Sequence, residues 1–244
     1  MNNPIVSVIL VNYNSTHHTI NCVNSICEKT SKELYYEIIV VDNNSRIEEQ
    51  KKLRDWLSQD SQKDIIYFQS DINAGFTGGN MIGIKHAKGK YIYLLNNDCL
   101  LQNDVLTILA DYLDKNPKVA AIVPRILNAG KQPTLAFHYM PSVKTKWLGN
   151  KFMNFINPNK YPDRKKIFDK PVKVEVISGA SMFLRQTAFD EVGYMPPDYF
   201  LYLEEEDLCM KLARAGYEIY HVPEAVIQHL EGESTTRNYD VAKE

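Results

Sequence analysis

The chain has 244 residues, 44% hydrophobic and 24% charged, with a formal net charge of −2. That length suits one sizeable domain, and the composition excludes wholesale disorder. The near-neutral balance gives no overall footprint for nucleic acid or an anionic membrane, although Lys and Arg cluster between Lys144 and Lys173.

The elements alternate in chain order. Val6 to Val11 is a continuous β-branched run of the kind buried on both faces of a parallel sheet. Asn14-Ser15 offers an N-cap to a helix whose inward face is marked by Ile20, Val23 and Cys27. Glu37 to Val41 predicts a second strand ending in Asp42-Asn43-Asn44-Ser45. A polar helix with Leu53, Trp56 and Leu57 inward precedes a third strand at Ile65 to Phe68. Gly75 to Ala87 reads as a loop entering a helix, and Tyr91 to Leu95 as the fourth strand. Residues 104–114 read as a helix and Val119 to Val123 as the next strand. From about 125 to 171, five prolines and many Lys and Asn break the periodicity and predict an irregular excursion. Regular structure is expected again at Val172 to Ile177, at Ser181 to Leu184, and in a helix from about Glu205 to Ala215 closed by Gly216. Residues 1–231 read as one domain, with 232–244 a polar tail.

Cys22, Cys27, Cys99 and Cys209 form no CxxC pair and read as reduced side chains of the core or helix faces. Met1 to Pro4 show neither the basic segment nor the apolar core of a signal peptide, and no apolar run reaches the roughly 18 residues of a membrane helix. The expected location is cytoplasmic. Asn14-Ser-Thr16 and Asn43-Asn-Ser45 fit the glycosylation sequon, but without a secretory route they read as turns.

Repeated strand–helix units predict an α/β fold with a mostly parallel sheet and helices on both faces. Ligands of such sheets sit beyond the carboxyl ends of the strands. Three polar clusters fall there: Asn12-Tyr13-Asn14, Asp42-Asn43-Asn44 and Asn96-Asn97-Asp98. No GxGxxG follows the first strand and no GxxxxGK[ST] occurs, which argues against a nicotinamide dehydrogenase or a P-loop nucleotidase. Asp98 offers the oxygen ligand that a hard divalent cation needs when a diphosphate supplies others, though Asn-Asn-Asp is also turn material. The run Tyr199 to Leu212 sets four acids, Glu204 to Asp207, between aromatic and apolar residues. Crowded, desolvated acids gain the raised pKa of a base, and acids also favour the first turn of a helix.

Taken together, Val6 to Ser15, Glu37 to Ser45, Asn73-Ala-Gly-Phe-Thr-Gly-Gly-Asn80, Leu94-Leu-Asn-Asn-Asp98, Ser178-Gly-Ala-Ser-Met-Phe-Leu-Arg185, Phe200 to Cys209 and His229-Leu-Glu-Gly-Glu-Ser234 resemble the family 2 glycosyltransferases of GT-A fold, in family order and spacing. The look is closest to bacterial rhamnosyltransferase-like members acting in cell-surface polysaccharide synthesis.

The resemblance implies a Rossmann-like sheet and nucleotide contacts from Val11, Tyr13, Asp42, Asn73, Gly75, Asn80 and Asn97. It implies a metal at Asp98, with Asn96 where a first Asp often sits. His229 is either a further ligand or a structural histidine. Ser178 and Gly179 are expected beside the donor or acceptor sugar, with Asp207 a positioning group or cap. Glu205 falls at the catalytic base, where the family usually has Asp, and Glu204 is its rival. Glu206 is expected at the surface, and the aromatic flank from Tyr199 to face the acceptor.

The implied reaction is metal-assisted transfer with inversion, using Mn2+ or Mg2+. The implied donor is a nucleotide-sugar such as dTDP-rhamnose or a UDP-sugar, and the acceptor a hydroxyl of a glycan or lipid-linked precursor. Acceptor determinants are expected in the 125–171 stretch and beyond residue 231. Peripheral membrane association through the acceptor and a homodimer are both left open. The alternatives are a nucleotidyltransferase or a non-catalytic nucleotide-sugar-binding module. Adjacent acids cannot readily bracket a sugar as a glycoside hydrolase requires.

Overall fold

The computed structural model describes residues 5–59, 65–141, 147, 152–158, 161–164, 166–195 and 203–230. The apolar run beginning at Val6 forms β1 (Val6–Asn12), whose residues are nearly all buried. Strand β2 (Tyr36–Asp42) runs parallel on one side with Asn12 opposite Asp42, and β3 (Ile65–Gln69) continues outward in parallel. The chain then returns to the other side of β1, where β4 (Tyr91–Leu95) pairs in parallel. The strand order thus reverses at β1 and opens a crevice at the carboxyl ends of β1 and β4, the place where open α/β sheets bind ligands.

Three helices cover these strands: α1 (Thr16–Lys29), α2 (Ile47–Leu57) and α3 (Gly75–Ile84). Thr19 of α1 bonds Asn12, whereas Gly79 and Gly83 of α3 lie over Val11 and Ile9, one residue out of phase along β1. Because side chains alternate along a strand, α1 and α3 lie on opposite faces of the sheet. Two local expectations are corrected. The buried face of α1 carries Cys22, Val23 and Ile26, and Cys27 is exposed. The segment expected as a loop entering a helix is helix through Ile84 once past Gly75, which takes left-handed backbone (φ 70°), and glycines 79 and 83 let the helix settle directly on β1. A Cβ at Gly83 would stand 2.5 Å from Ile9 Cγ2 in the core. Gly83→Ala is therefore expected to destabilise the fold by about 1–2 kcal/mol, overpacking outweighing the gain in helix propensity. A thermal melt would show this as a Tm lowered by a few degrees.

Beyond β4, the short β5 (Cys99–Leu101) precedes α4 (Val105–Lys115), whose N-cap Asp104 accepts a hydrogen bond from Thr107 N. Strand β6 (Val119–Leu127) outruns the predicted end at Val123 and takes the first residues of the expected excursion. Within that excursion, β7 (Phe137–His138) is ordered by pairing with β9 (Val176–Ile177). The run from Val172 is not one strand, because β8 (Val172–Lys173) pairs instead with β11 (Glu218–His229). Strand β10 (Ser181–Arg185) inserts antiparallel between β4 and β6, so the sheet is parallel through its first half and mixed beyond. Helices α5 (Gln186–Val192) and α6 (Glu204–Arg214) precede β11, which runs parallel to β6 and ends antiparallel to β5. The predicted tail and the flank from Tyr199 to Tyr202 lie outside the described residues. Among the described residues, no helix is long and apolar enough to cross a membrane.

Candidate active site

The strand-end clusters meet as one hydrogen-bonded floor. Asp42 is fully buried; its Oδ2 accepts from Asn12 Nδ2 at 2.8 Å and its Oδ1 from Ser45 N at 2.9 Å. Asn14 and Asn44 take left-handed backbone (φ 51° and 63°), which Asn tolerates, so the chain bends at each of the two sequon-like triplets. The Asn12 carbonyl oxygen of the side chain accepts from Thr19 Oγ1 at 2.9 Å. Asn97 Nδ2 in turn donates to Ser15 Oγ at 2.7 Å and Thr19 Oγ1 at 2.8 Å. Ser15 holds the N-cap position of α1, yet its hydroxyl serves this network and not the helix amides. Asn43 extends the floor, donating to Asn73 Oδ1 at 2.9 Å and Gly75 O at 3.0 Å, and accepting from Ala74 N.

Not every expected nucleotide residue turns toward this crevice. Val11 packs under Gly79, and Asn80 is buried with its amide returned to Phe76 O of its own helix. Tyr13 stays half-exposed at the rim.

The next element brings a carboxylate and an imidazole together. Pairing of β5 with β11 sets His229 opposite Cys99, which places His229 Nε2 3.1 Å from Asp98 Oδ1. Asn96 Nδ2 stands 3.5 Å from the same nitrogen. Asp98, Cys99 and His229 each bring a ligand atom to within 4.8 Å of the others. Cys99 is fully buried with Sγ directed at Ala180 O, 3.7 Å away, so the donors left for a hard cation are the Asp98 oxygen and the His229 imidazole nitrogen.

Ala180 also ties this segment to the acids, because Asn96 N donates to Ala180 O at 2.9 Å. Ser178 to Ala180 form the turn between β9 and β10, anchored by Ser178 N to Ala136 O. A Cβ added to Gly179 would stand only 3.7 Å from Glu205 Cδ, so the Glu205 carboxylate faces the bare backbone of this turn.

All four acids occupy the first turn of α6, where free amides favour negative charge, so a helix start and an acidic site coincide. Their surroundings separate them. Glu204 is 3% exposed, and burial, reinforced by the charge of Glu205, raises its pKa to about 7. Glu205 is half-buried, and the Oε2 atoms of both residues have no hydrogen-bond partner among the described residues. Glu206, expected at the surface, is instead half-buried with Oε1 3.0 Å from His138 Nε2. Asp207 pairs with Lys211 Nζ at 2.9 Å, one turn along. His138 escaped the sequence reading: it sits 68 residues from its partner, on a two-residue strand within an irregular stretch.

Burial of Glu204 has a linkage consequence. The unfolded chain releases this proton near 4.5 and the folded chain near 7, so stability falls as pH rises between those values and stays low above them. Glu204→Gln is expected to raise Tm above pH 7 and leave it unchanged below pH 4.5, as thermal melts across pH would register.

The crystal structure of GalNAc-T7 with UDP, GalNAc and Mn2+ aligns with 95% of this chain and 45% of that one, with TM-score 0.71 at 20% identity. The fold is that of the GT-A glycosyltransferases. Residues 7–193 match the family model for glycosyl transferase family 2, and the chain belongs to that family. Among its relatives, the low-salt glycan biosynthesis hexosyltransferase Agl10 of Haloferax volcanii is 28% identical over 218 residues, 88% of this chain and 63% of that protein. The inactive polypeptide N-acetylgalactosaminyltransferase-like protein 5 of Macaca fascicularis is 23% identical over 96% of this chain and 53% of that protein. Rhamnosyltransferase WbbL of Escherichia coli K12 is 26% identical over 78% of this chain and 70% of that protein. The chain therefore spans between about half and two thirds of the length of the first two relatives.

Proposed function

We propose that this chain is an inverting, divalent-cation-dependent glycosyltransferase. It moves a sugar from a nucleotide-diphosphate donor, a dTDP- or UDP-sugar, to a hydroxyl of a glycan or lipid-linked glycan precursor. One observation carries the reading. The Ser178–Ala180 turn faces the Glu205 carboxylate on one side and holds the Asp98 segment by Asn96 on the other.

Asp98, with the Asn96 amide beside it, supplies oxygen donors that fit Mn2+ or Mg2+, and the His229 imidazole nitrogen adds a borderline donor that favours Mn2+ of the two. A cation held there would neutralise charge on the departing diphosphate. The residues do the rest. Asn12, Asp42 and Asn97 fix the floor beneath the nucleotide, and Asn73 and Gly75 wall it. Glu205 accepts the proton of the acceptor hydroxyl as that oxygen bonds the anomeric carbon and the bond to the diphosphate breaks on the opposite face. Single displacement inverts the configuration. Gly179 keeps the space over the base open, and Asp207, through Lys211, steadies the first turn of α6. Burial raises the proton affinity of Glu204 but also encloses it, and geometry ranks before basicity in choosing a base.

The test is a thermal-shift screen of nucleotide-sugars with Mn2+ and Mg2+, followed by NMR of the product formed from the stabilising donor. Inverted anomeric configuration is expected; retained configuration would remove the single-displacement reading. Asn96, standing where an acid often sits, favours a second reading, a nucleotide-sugar-binding module without turnover. Donor stabilisation with no product from any acceptor class would select it.

A further inference from the structure

Exposed apolar side chains are unevenly spread over this protein. Among the described residues, five of the eleven large ones lie between 147 and 167: Trp147 (88% exposed), Phe155 (84%), Phe152, Ile156 and Ile167. The other six are spread along the rest of the sequence, with Ile5 and Tyr35 adjacent in space through Ile5 N to Tyr35 O. The same part of the sequence is basic. Residues 144–170 hold eight Lys or Arg against two Asp, a local charge of +6 in a chain whose net charge is −2.

A pocket joins the two features. Arg125, Arg164, Lys166 and the exposed Ile167 line it, together with Phe168 and His221. Arg125 donates to Phe168 O at 2.6 Å, Arg164 lies over the Tyr139 ring and Lys166 over the Phe168 ring. None of the three cations is paired with a carboxylate among the described residues. Burial first, and then Arg125, lowers the pKa of His221 to about 4, so that imidazole adds no charge. The pocket offers three cations beside the exposed Ile167, and Asn154 Nδ2, bonded to Tyr161 O at 2.7 Å, ties the segment bearing Phe152, Phe155 and Ile156 to the Tyr139 ring under Arg164.

We propose that Trp147, Phe152, Phe155, Ile156 and Ile167, with Arg125, Arg164 and Lys166, form a docking surface for an anionic phospholipid bilayer. The aromatic and aliphatic side chains enter the headgroup layer, and the cations meet headgroup phosphates. Trp and Phe beside Lys and Arg are the composition of an interfacial anchor. A second copy of the chain fits the patch poorly, because a two-fold contact would set two surfaces of the same positive sign face to face. A neutral glycan would leave the cations without counter-charge.

The surface stands on its own, and its use, delivering a lipid-linked acceptor, rests on the transferase reading above. The path to the acids is short. The pocket-lining Ala136 accepts a hydrogen bond from Ser178 N, and His138 of the same segment reaches Glu206.

The experiment is flotation of the intact chain with vesicles of phosphatidylcholine alone or of equimolar phosphatidylcholine and phosphatidylglycerol. Binding is expected only to the phosphatidylglycerol vesicles, and release in about 1 M salt, where the Debye length falls to ~3 Å. Trp147→Ser with Phe155→Ser should weaken partition by about tenfold or more. Arg164→Glu with Lys166→Glu should abolish the phosphatidylglycerol dependence. Each variant must keep the wild-type Tm and the wild-type stabilisation by nucleotide-sugar, which separates this proposal from the transferase reading. The proposal is overturned if the wild-type chain ignores both vesicles, or if the variants bind as it does. It is also overturned if the aromatic substitutions instead convert a dimer to a monomer.

Discussion

Glu205→Gln is expected to lower sugar transfer by a factor of about 10²–10⁴, the range that a positioned general base contributes, while donor stabilisation is retained. Gln keeps the shape of Glu and removes only the proton-accepting charge. Single-turnover rates with a matched donor and acceptor measure the first effect, and thermal shift by the donor alone the second. The companion variant is Glu204→Gln. Glu204 is enclosed and mostly protonated at slightly acidic pH, so its amide should transfer sugar within about tenfold of wild type. If the two results exchange places, the base is Glu204 and its pKa near 7 acquires a catalytic purpose. A loss in both variants together with a lowered Tm would point to damage in the first turn of α6 and not to base catalysis. The Glu204 melt above pH 7, where Gln is expected to stabilise, separates that outcome.

The parts of the fold that were legible in the sequence are those whose signal is local. Val6 to Val11 and Tyr91 to Leu95 are buried on both faces, and an unbroken apolar run is what that environment selects. Asp42 and Asn97 stood out because polar residues follow such runs at strand ends. What they do there was not legible: Asp42 spends both oxygens on Asn12 and Ser45, partners decided by strand register. Long-range pairing hid the rest. Strand β10 looks like any apolar strand, and nothing in Ser181 to Arg185 announces that it runs against β4. His138 and Glu206 carry no mutual signal across 68 residues. The glycines after Asn73 were visible, but their close approach is to Val11 and Ile9 of β1, a contact between elements that composition cannot assign. The Asp98–His229 pair was legible only as one of two alternatives that the resemblance left open, and it is the pairing of Cys99 with His229 that brings the two side chains together.

That pairing sets the second large effect. With Mn2+ and a nucleoside diphosphate at about a hundred times Kd, the wild-type chain should gain ~2.7 kcal/mol, or roughly 5–10 °C in Tm for a domain of this size. Asp98→Asn preserves the volume of the side chain and its contact with His229 but removes the carboxylate charge, and should lose most of that gain. Without Mn2+ its Tm should match wild type, because a carboxamide can still bond the imidazole. Cys99→Ser should leave the Mn2+ response intact, since the thiol is buried and directed at Ala180 O, away from any hard-cation role. The sharpest arm is Asn96→Asp. Asn96 lies 3.5 Å from His229 Nε2, so a carboxylate there would add a second anionic oxygen to the same donor set. Tighter Mn2+ binding in isothermal titration is the expected outcome. Unchanged affinity would mean that residue 96 faces the Ala180 turn alone, and that Asp98 and His229 carry the cation without it.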